Sequence, residues 1–99
     1  MVLNPFWVYP TRGSILGAAR VSIVRTDAQK RFRELLVEAR KEADLTQAEL
    51  SSRLNRPQSF VSKYERGERR LDVVEFREVA RALGIDPVNF LARLYREIA

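Results

Sequence analysis

From Asp27 onward the apolar positions follow helical steps. Phe32, Leu35, Leu36, Ala39 and Ala43 recur at three- and four-residue intervals, which predicts an amphipathic helix over about 28–43. Thr46-Gln-Ala-Glu49 then matches a capping box, in which the threonine hydroxyl accepts from the glutamate amide while the glutamate reaches back. It opens a second helix whose buried face is Leu50 and Leu54. Asn55 tolerates the left-handed conformation of a tight turn, and Pro57 suits the first position of a third helix, about 57–66, with Val61 and Tyr64 inward. Gly67 can end that helix. Asp72-Val-Val-Glu75 resembles a second capping box, leading into Phe76, Val79, Ala80 and Leu83, with Gly84 as a C-terminal cap. Asp86-Pro87 starts a fifth helix with Val88, Leu91, Leu94, Tyr95 and Ile98 on one stripe. No strand alternation occurs in this stretch, so the pattern predicts an all-α bundle of five short helices.

Residues 1–26 do not share this pattern. Phe6, Trp7, Val8 and Tyr9 cluster between Pro5 and Pro10, and Val21, Ile23 and Val24 form a second apolar stretch. A turn at Arg12-Gly13-Ser14 between two extended segments, a helix around 14–25, and an unstructured arm all fit. The chain therefore divides into an N-terminal arm, 1–26, and a domain, 27–99. The arm could follow a DNA backbone through Arg12, Arg20 and Arg25, or its aromatics could dock another protein. The fifth-helix stripe exceeds what a small core needs, which makes Leu91, Tyr95 and Ile98 candidates for a dimer surface.

Composition removes whole classes of chemistry. The 99 residues include no cysteine and no histidine, so there is no disulfide framework, no thiolate metal site and no imidazole to activate Ser59 or Ser62. No catalytic residue, metal or cofactor is expected. No apolar run approaches the roughly 20 residues needed to span a membrane, and the start lacks a signal peptide's basic leader, so the expected location is cytoplasmic, at the nucleoid.

The net charge of +5 is uneven. Residues 1–26 carry +3, 27–52 carry −1, 53–70 carry +4 and 71–99 carry −1. Arg53, Arg56, Lys63, Arg66, Arg69 and Arg70 thus form a basic patch around the third helix, the footprint of a polyanionic partner. Arg77, Arg81, Arg93 and Arg96 alternate with acids and read as helix-surface pairs.

Two short helices joined through Asn55-Arg56 must cross steeply, so the crossing needs a small residue, which Ser51 supplies. Gln58, Ser59, Ser62, Lys63 and Arg66 are then left outward on the third helix. Such a face suits the major groove, where glutamine pairs with adenine and lysine reaches guanine.

Arg40, Leu45-Thr46-Gln47-Ala48-Glu49-Leu50, Leu54, Pro57 through Glu65, Gly67 and Ala80-Arg81-Ala82-Leu83-Gly84 together resemble the Xre/Cro-like family of helix-turn-helix regulators, over about residues 32–94. The resemblance implies a five-helix, lambda-repressor-like DNA-binding bundle, usually a homodimer on double-stranded DNA. It makes Gln58, Ser59 and Lys63 base-edge readers, with Ser62 a weaker one. Gln47 becomes a phosphate contact, as do Arg56, Arg66, Arg69 and Arg70, and Arg40 with Glu65 becomes an internal salt bridge. Asn55 stands where the family commonly has glycine, and Ser51 where it has alanine. The function expected is sequence-specific DNA binding as a small transcriptional regulator, a repressor. The alternative is an antitoxin or other partner-binding module, using residues 1–26 or the last helix, with autoregulatory DNA binding.

Overall fold

A computed structural model describes the backbone of residues 14–98 and the side chains of 27–98. Five helices follow in order: α1 (Ser14–Glu42), α2 (Gln47–Arg53), α3 (Ser59–Glu65), α4 (Val73–Leu83) and α5 (Pro87–Ile98). Among the described residues there is no strand, and the architecture is the all-α, five-helix bundle expected.

The first helix is longer than its amphipathic pattern. It begins at Ser14 and runs without interruption through the 26/27 position, so the helical alternative holds for 14–25. That stretch could not be assigned from its pattern because Ile15, Leu16, Val21, Ile23 and Val24 fall on all sides of a helical projection, and several are β-branched. The aromatic cluster at 6–9 and Arg12 lie outside the described residues.

Both capping boxes form. The Thr46 hydroxyl accepts from the Glu49 amide at 3.0 Å while the Glu49 carboxylate accepts from the Thr46 amide at 2.8 Å. At α4 the Asp72 carboxylate accepts from the Glu75 amide at 2.7 Å, with Glu75 accepting from the Asp72 amide at 3.0 Å. Asp86 accepts from the amides of Val88 and Asn89 at the head of α5. At the other ends, α1 to α4 all close in the same way. A left-handed residue (Asp44, Asn55, Gly67, Gly84) is followed by an amide that reaches back five residues, as in Leu45 N–H to Arg40 O and Arg56 N–H to Ser51 O. Glycine meets that geometry without strain at two of the four, whereas Asp44 holds φ at 61°. Asp44 also places a negative charge at the negative end of α1. Asp44→Gly is therefore expected to stabilise the protein by about 0.5–1 kcal/mol, read as a higher urea midpoint at unchanged slope; an unchanged or lower midpoint would show that the aspartate is held there by contacts.

The helices close over a core of Leu36, Leu45, Leu50, Phe60, Val61, Tyr64, Phe76, Val79 and Leu83. Phe32, Phe76 and Phe90 form an aromatic triangle with ring centroids 5.3–5.8 Å apart, tying α1, α4 and α5 together. Here α5 departs from its predicted stripe. Leu94 is buried and Leu91 and Ile98 half-buried, but Val88 and Tyr95 are exposed, and Phe90 turns inward. The inward face of α5 is rotated toward Phe90 because it must meet both Phe32 and Phe76. Along the α1–α5 seam Arg31 bonds Glu34, Glu38 and Glu97, while Arg93 joins Glu38 and Glu97. Hydrogen bonds from Arg31 and Arg93 hold the Glu97 carboxyl below its ordinary range. No helix among the described residues is long and apolar enough to cross a membrane.

Candidate nucleic-acid interface

The site is built on the α2–α3 pair. Ser51 is fully buried where the two helices cross, and its hydroxyl does more than leave room. It donates to the Gln58 carbonyl and accepts from the Val61 amide, both at 3.2 Å. The residue before α3, Gln58, has helical dihedrals and makes no side-chain cap. Pro57 precedes it, so α3 begins without the local Ser, Thr, Asp or Asn that usually satisfies a helix start. Ser51 supplies that cap from α2. The side chains of Gln58 and Ser59 are thereby left exposed.

The exposed surface they enter is concave. Thr46, Gln47 and Ala48 from the head of α2 and Gln58, Ser59 and Ser62 line one shallow hollow. Ala48, Ser52, Asn55, Arg56 and Gln58 line a second. Gln58 and Ala48 line both, and Gln58 is the polar side chain they share. The Ser62 hydroxyl donates to the Ser59 carbonyl at 3.1 Å, back into its own helix turn. Lys63 is exposed and lines neither hollow.

An acidic residue on a DNA-facing helix would oppose phosphate, and Glu65 is the one acid in α3. Its side chain is only 5 % exposed. Arg40 donates to it through Nε at 2.8 Å and Nη2 at 3.1 Å, and Gln47 donates through Nε2 at 2.8 Å. The remaining Arg40 nitrogen, Nη1, donates to the Leu45 carbonyl at 2.8 Å. One guanidinium therefore joins the end of α1, the α1–α2 turn and the end of α3, and the bond to Glu65 raises its already high pKa. Beside it, Tyr64 is buried with its hydroxyl unpartnered among the described residues, and burial pushes the phenol up.

The arginines of the basic patch have different surroundings. Arg66 and its partner Glu68 are both more than half exposed, with Nε to Oε2 at 2.7 Å. Arg70 has no side-chain partner among the described residues and stands on the cleft between α1 and the loop after α3, away from the α2–α3 hollows. Arg56 and Arg69 both lie over the Phe60 ring, 4.6 and 4.8 Å from its centroid. Arg69 also grips Glu75 through two bonds of 2.9 and 2.6 Å. Those bonds, the Asp72 amide and the charge of Arg56 hold the Glu75 carboxyl down to about 2. Phe60 is buried against Tyr64 in an edge-on contact, which makes it part of the fold. The sequence shows Ser51 only as a small residue and Glu75 only as a cap, since no local pattern marks a hydroxyl bridge between helices and no spacing rule links Arg56, Phe60, Arg69 and Glu75.

This geometry has close relatives. The helix-turn-helix family matches residues 36–90. An Xre-family-like protein from Pseudomonas syringae pv. tomato str. DC3000 is 45 % identical, with a TM-score of 0.76 over 79 % of this chain and 95 % of that one. The restriction-modification controller protein C.Esp1396I has the same fold at 24 % identity, with a TM-score of 0.65 over 72 % of this chain and 93 % of that one. A mutant of that controller matches at 25 % identity and the same TM-score, over 72 % and 90 % of the two chains. No curated protein matches. The crossing of α2 and α3 over a buried serine, the Arg40–Glu65 pair behind them and a match over more than half the sequence agree, and the chain belongs to the Xre-type helix-turn-helix family of regulators.

Proposed function

We propose that the protein binds double-stranded DNA sequence-specifically through the major groove and acts as a small transcriptional repressor, without chemistry of its own. The observation that carries this reading is the exposed head of α3, capped from α2 by the buried Ser51 so that Gln58 and Ser59 stay free, with Gln58 lining both hollows and the only acid of the helix neutralised from behind. Gln58 and Ser59 are the first base-edge readers, with Lys63 reaching further along the groove and Ser62 contributing its oxygen. Gln47 gives one amide hydrogen to Glu65; its second, with the first-turn amides of α2, suits a phosphate. Arg66 can leave Glu68 for a phosphate at small cost because both groups are exposed and hydrated. Arg70 carries positive charge toward the edge of the same patch. DNA as target implies action at the nucleoid.

Two copies are proposed to bind together, placing two α3 helices about 34 Å apart on a roughly palindromic site. The exposed Val88 and Tyr95, with half-buried Leu91 and Ile98 on the same helix, support a dimer face on α5. Residues 27–99 form the DNA-binding unit in this reading, and 1–26 an arm appended to it.

Selection of bound sequences from a random DNA pool, with wild type and Gln58→Ala side by side, tests the proposal. The wild type is expected to enrich an inverted repeat. Gln58→Ala is expected to lose preference at one position in each half-site, weakening the preferred sequence by about 1–3 kcal/mol per readable base. Absence of any enriched sequence, with only weak salt-sensitive binding, would overturn it.

A further inference from the structure

Arg56 and Arg69 sit in the basic patch, yet both are engaged inside the fold. Their guanidinium groups lie over one buried ring, Phe60, which belongs to α3 itself. Glu75 binds Arg69 through both carboxylate oxygens, lies 3.6 Å from Arg56, and at the same time caps α4. Arg69 further donates to the Arg70 carbonyl, fixing the loop that leaves α3. A single carboxylate, 13 % exposed, thus connects the α2–α3 turn, the α3–α4 loop and the first turn of α4 around a side chain of α3. A two-pronged arginine–carboxylate bond of this kind is the strong, directional sort, and the ring contact adds to it.

We propose that Arg56, Arg69 and Glu75 clamp Phe60 and set the pose of α3, so that these two arginines serve DNA binding as positioning residues and not as phosphate ligands. Both Nη groups of Arg69 are taken up by Glu75, and Arg56 is held over the ring with its Nη2 between Glu75 and Glu78, at 3.6 and 3.8 Å. Arg66 is not held in this way, its single partner being an exposed glutamate two residues away. The clamp rests on the DNA-binding reading only for its effect on affinity; its internal coupling belongs to the free protein.

Glu75→Gln separates the two roles. The amide keeps an oxygen for the Asp72 amide, so the cap survives, while the charge that holds the arginines is lost. With an operator taken from the random-pool selection, a clamp predicts binding weakened by about tenfold at an unchanged dependence on salt, because no phosphate contact has gone. Phosphate ligands predict the reverse: freed arginines would tighten binding and steepen the salt slope by about one unit per contact. Arg69→Ala should likewise weaken binding with the slope preserved; a slope shallower by about 0.9 would overturn the clamp. Independently of DNA, thermal unfolding of Arg69→Ala, Glu75→Gln and the double variant should give Tm shifts that are clearly less than additive. Additive shifts in the free protein would overturn the clamp whether or not the wild type binds DNA, whereas failure of the wild type to select any sequence would overturn only the DNA reading.

Discussion

Replacing Arg40 by alanine is expected to lower stability by about 3–5 kcal/mol, a large part of the margin of a domain this size. The arginine is 11 % exposed and its glutamate partner 5 %. Removing it strands Glu65 with Gln47 as the remaining donor and takes the donor away from the Leu45 carbonyl as well. An uncompensated carboxylate in that position is far more costly than the intact pair is favourable. The comparison that isolates this is a paired replacement, Arg40→Met with Glu65→Leu, in which no charge is left behind. It should be substantially more stable than Arg40→Ala alone, by guanidinium or urea denaturation. If Arg40→Ala cost less than about 1 kcal/mol, the value of an ordinary surface pair, the bridge would have no structural weight. In the proposed complex DNA affinity should fall with it, because Glu65 is the last residue of α3 and its negative charge would no longer be balanced by the guanidinium.

Ser51→Val is the second large expected effect, about 2–6 kcal/mol destabilising. Two costs act together at a position with no exposed surface. The Val61 amide and the Gln58 carbonyl lose the hydroxyl that joins them, and a buried unmade hydrogen bond costs roughly 1–3 kcal/mol. The branched side chain also forces apart two helices that meet at this point, and overpacking of that kind costs about 1–3 kcal/mol more. Ser51→Ala incurs only the first cost and should destabilise by about 1–3 kcal/mol, within reach of the stability that remains. Equal losses for alanine and valine would mean that the crossing has spare room and that the hydroxyl alone matters. Because the Ser51 bond fixes where Gln58 begins the helix, Ser51→Ala should also blur base preference in the random-pool experiment, and Asp44→Gly, in the turn between α1 and α2, should not.

The two arginine-centred devices differ in how they could be found. Arg40 and Glu65 are far apart in sequence, but each sits inside a recognisable family pattern, so the resemblance paired them. Arg56, Arg69 and Glu75 sit in no such pattern. Charge counting puts both arginines in the basic patch and the resemblance implies phosphate contacts for them, because neither a tally nor a family pattern registers a carboxylate and a ring that meet them only after folding.

What the sequence determined by itself was everything carried by local periodicity and local hydrogen-bond chemistry. The apolar steps of the first four helices, the capping boxes at Thr46 and Asp72, the cap at Asp86 and the left-handed residues at Asn55, Gly67 and Gly84 are all decided within a few residues of chain. The tertiary structure decided whatever depends on which surfaces meet. It extended α1 back to Ser14, where the apolar residues have no single face to declare a helix. It turned Phe90 inward in place of Val88 and Tyr95, because only the position of α1 and α4 fixes which flank of α5 is covered. It also made Ser51 a cap for α3 and drew Arg56 and Arg69 onto Phe60, since hydrogen bonds and ring contacts between distant residues leave no period in the chain to be read.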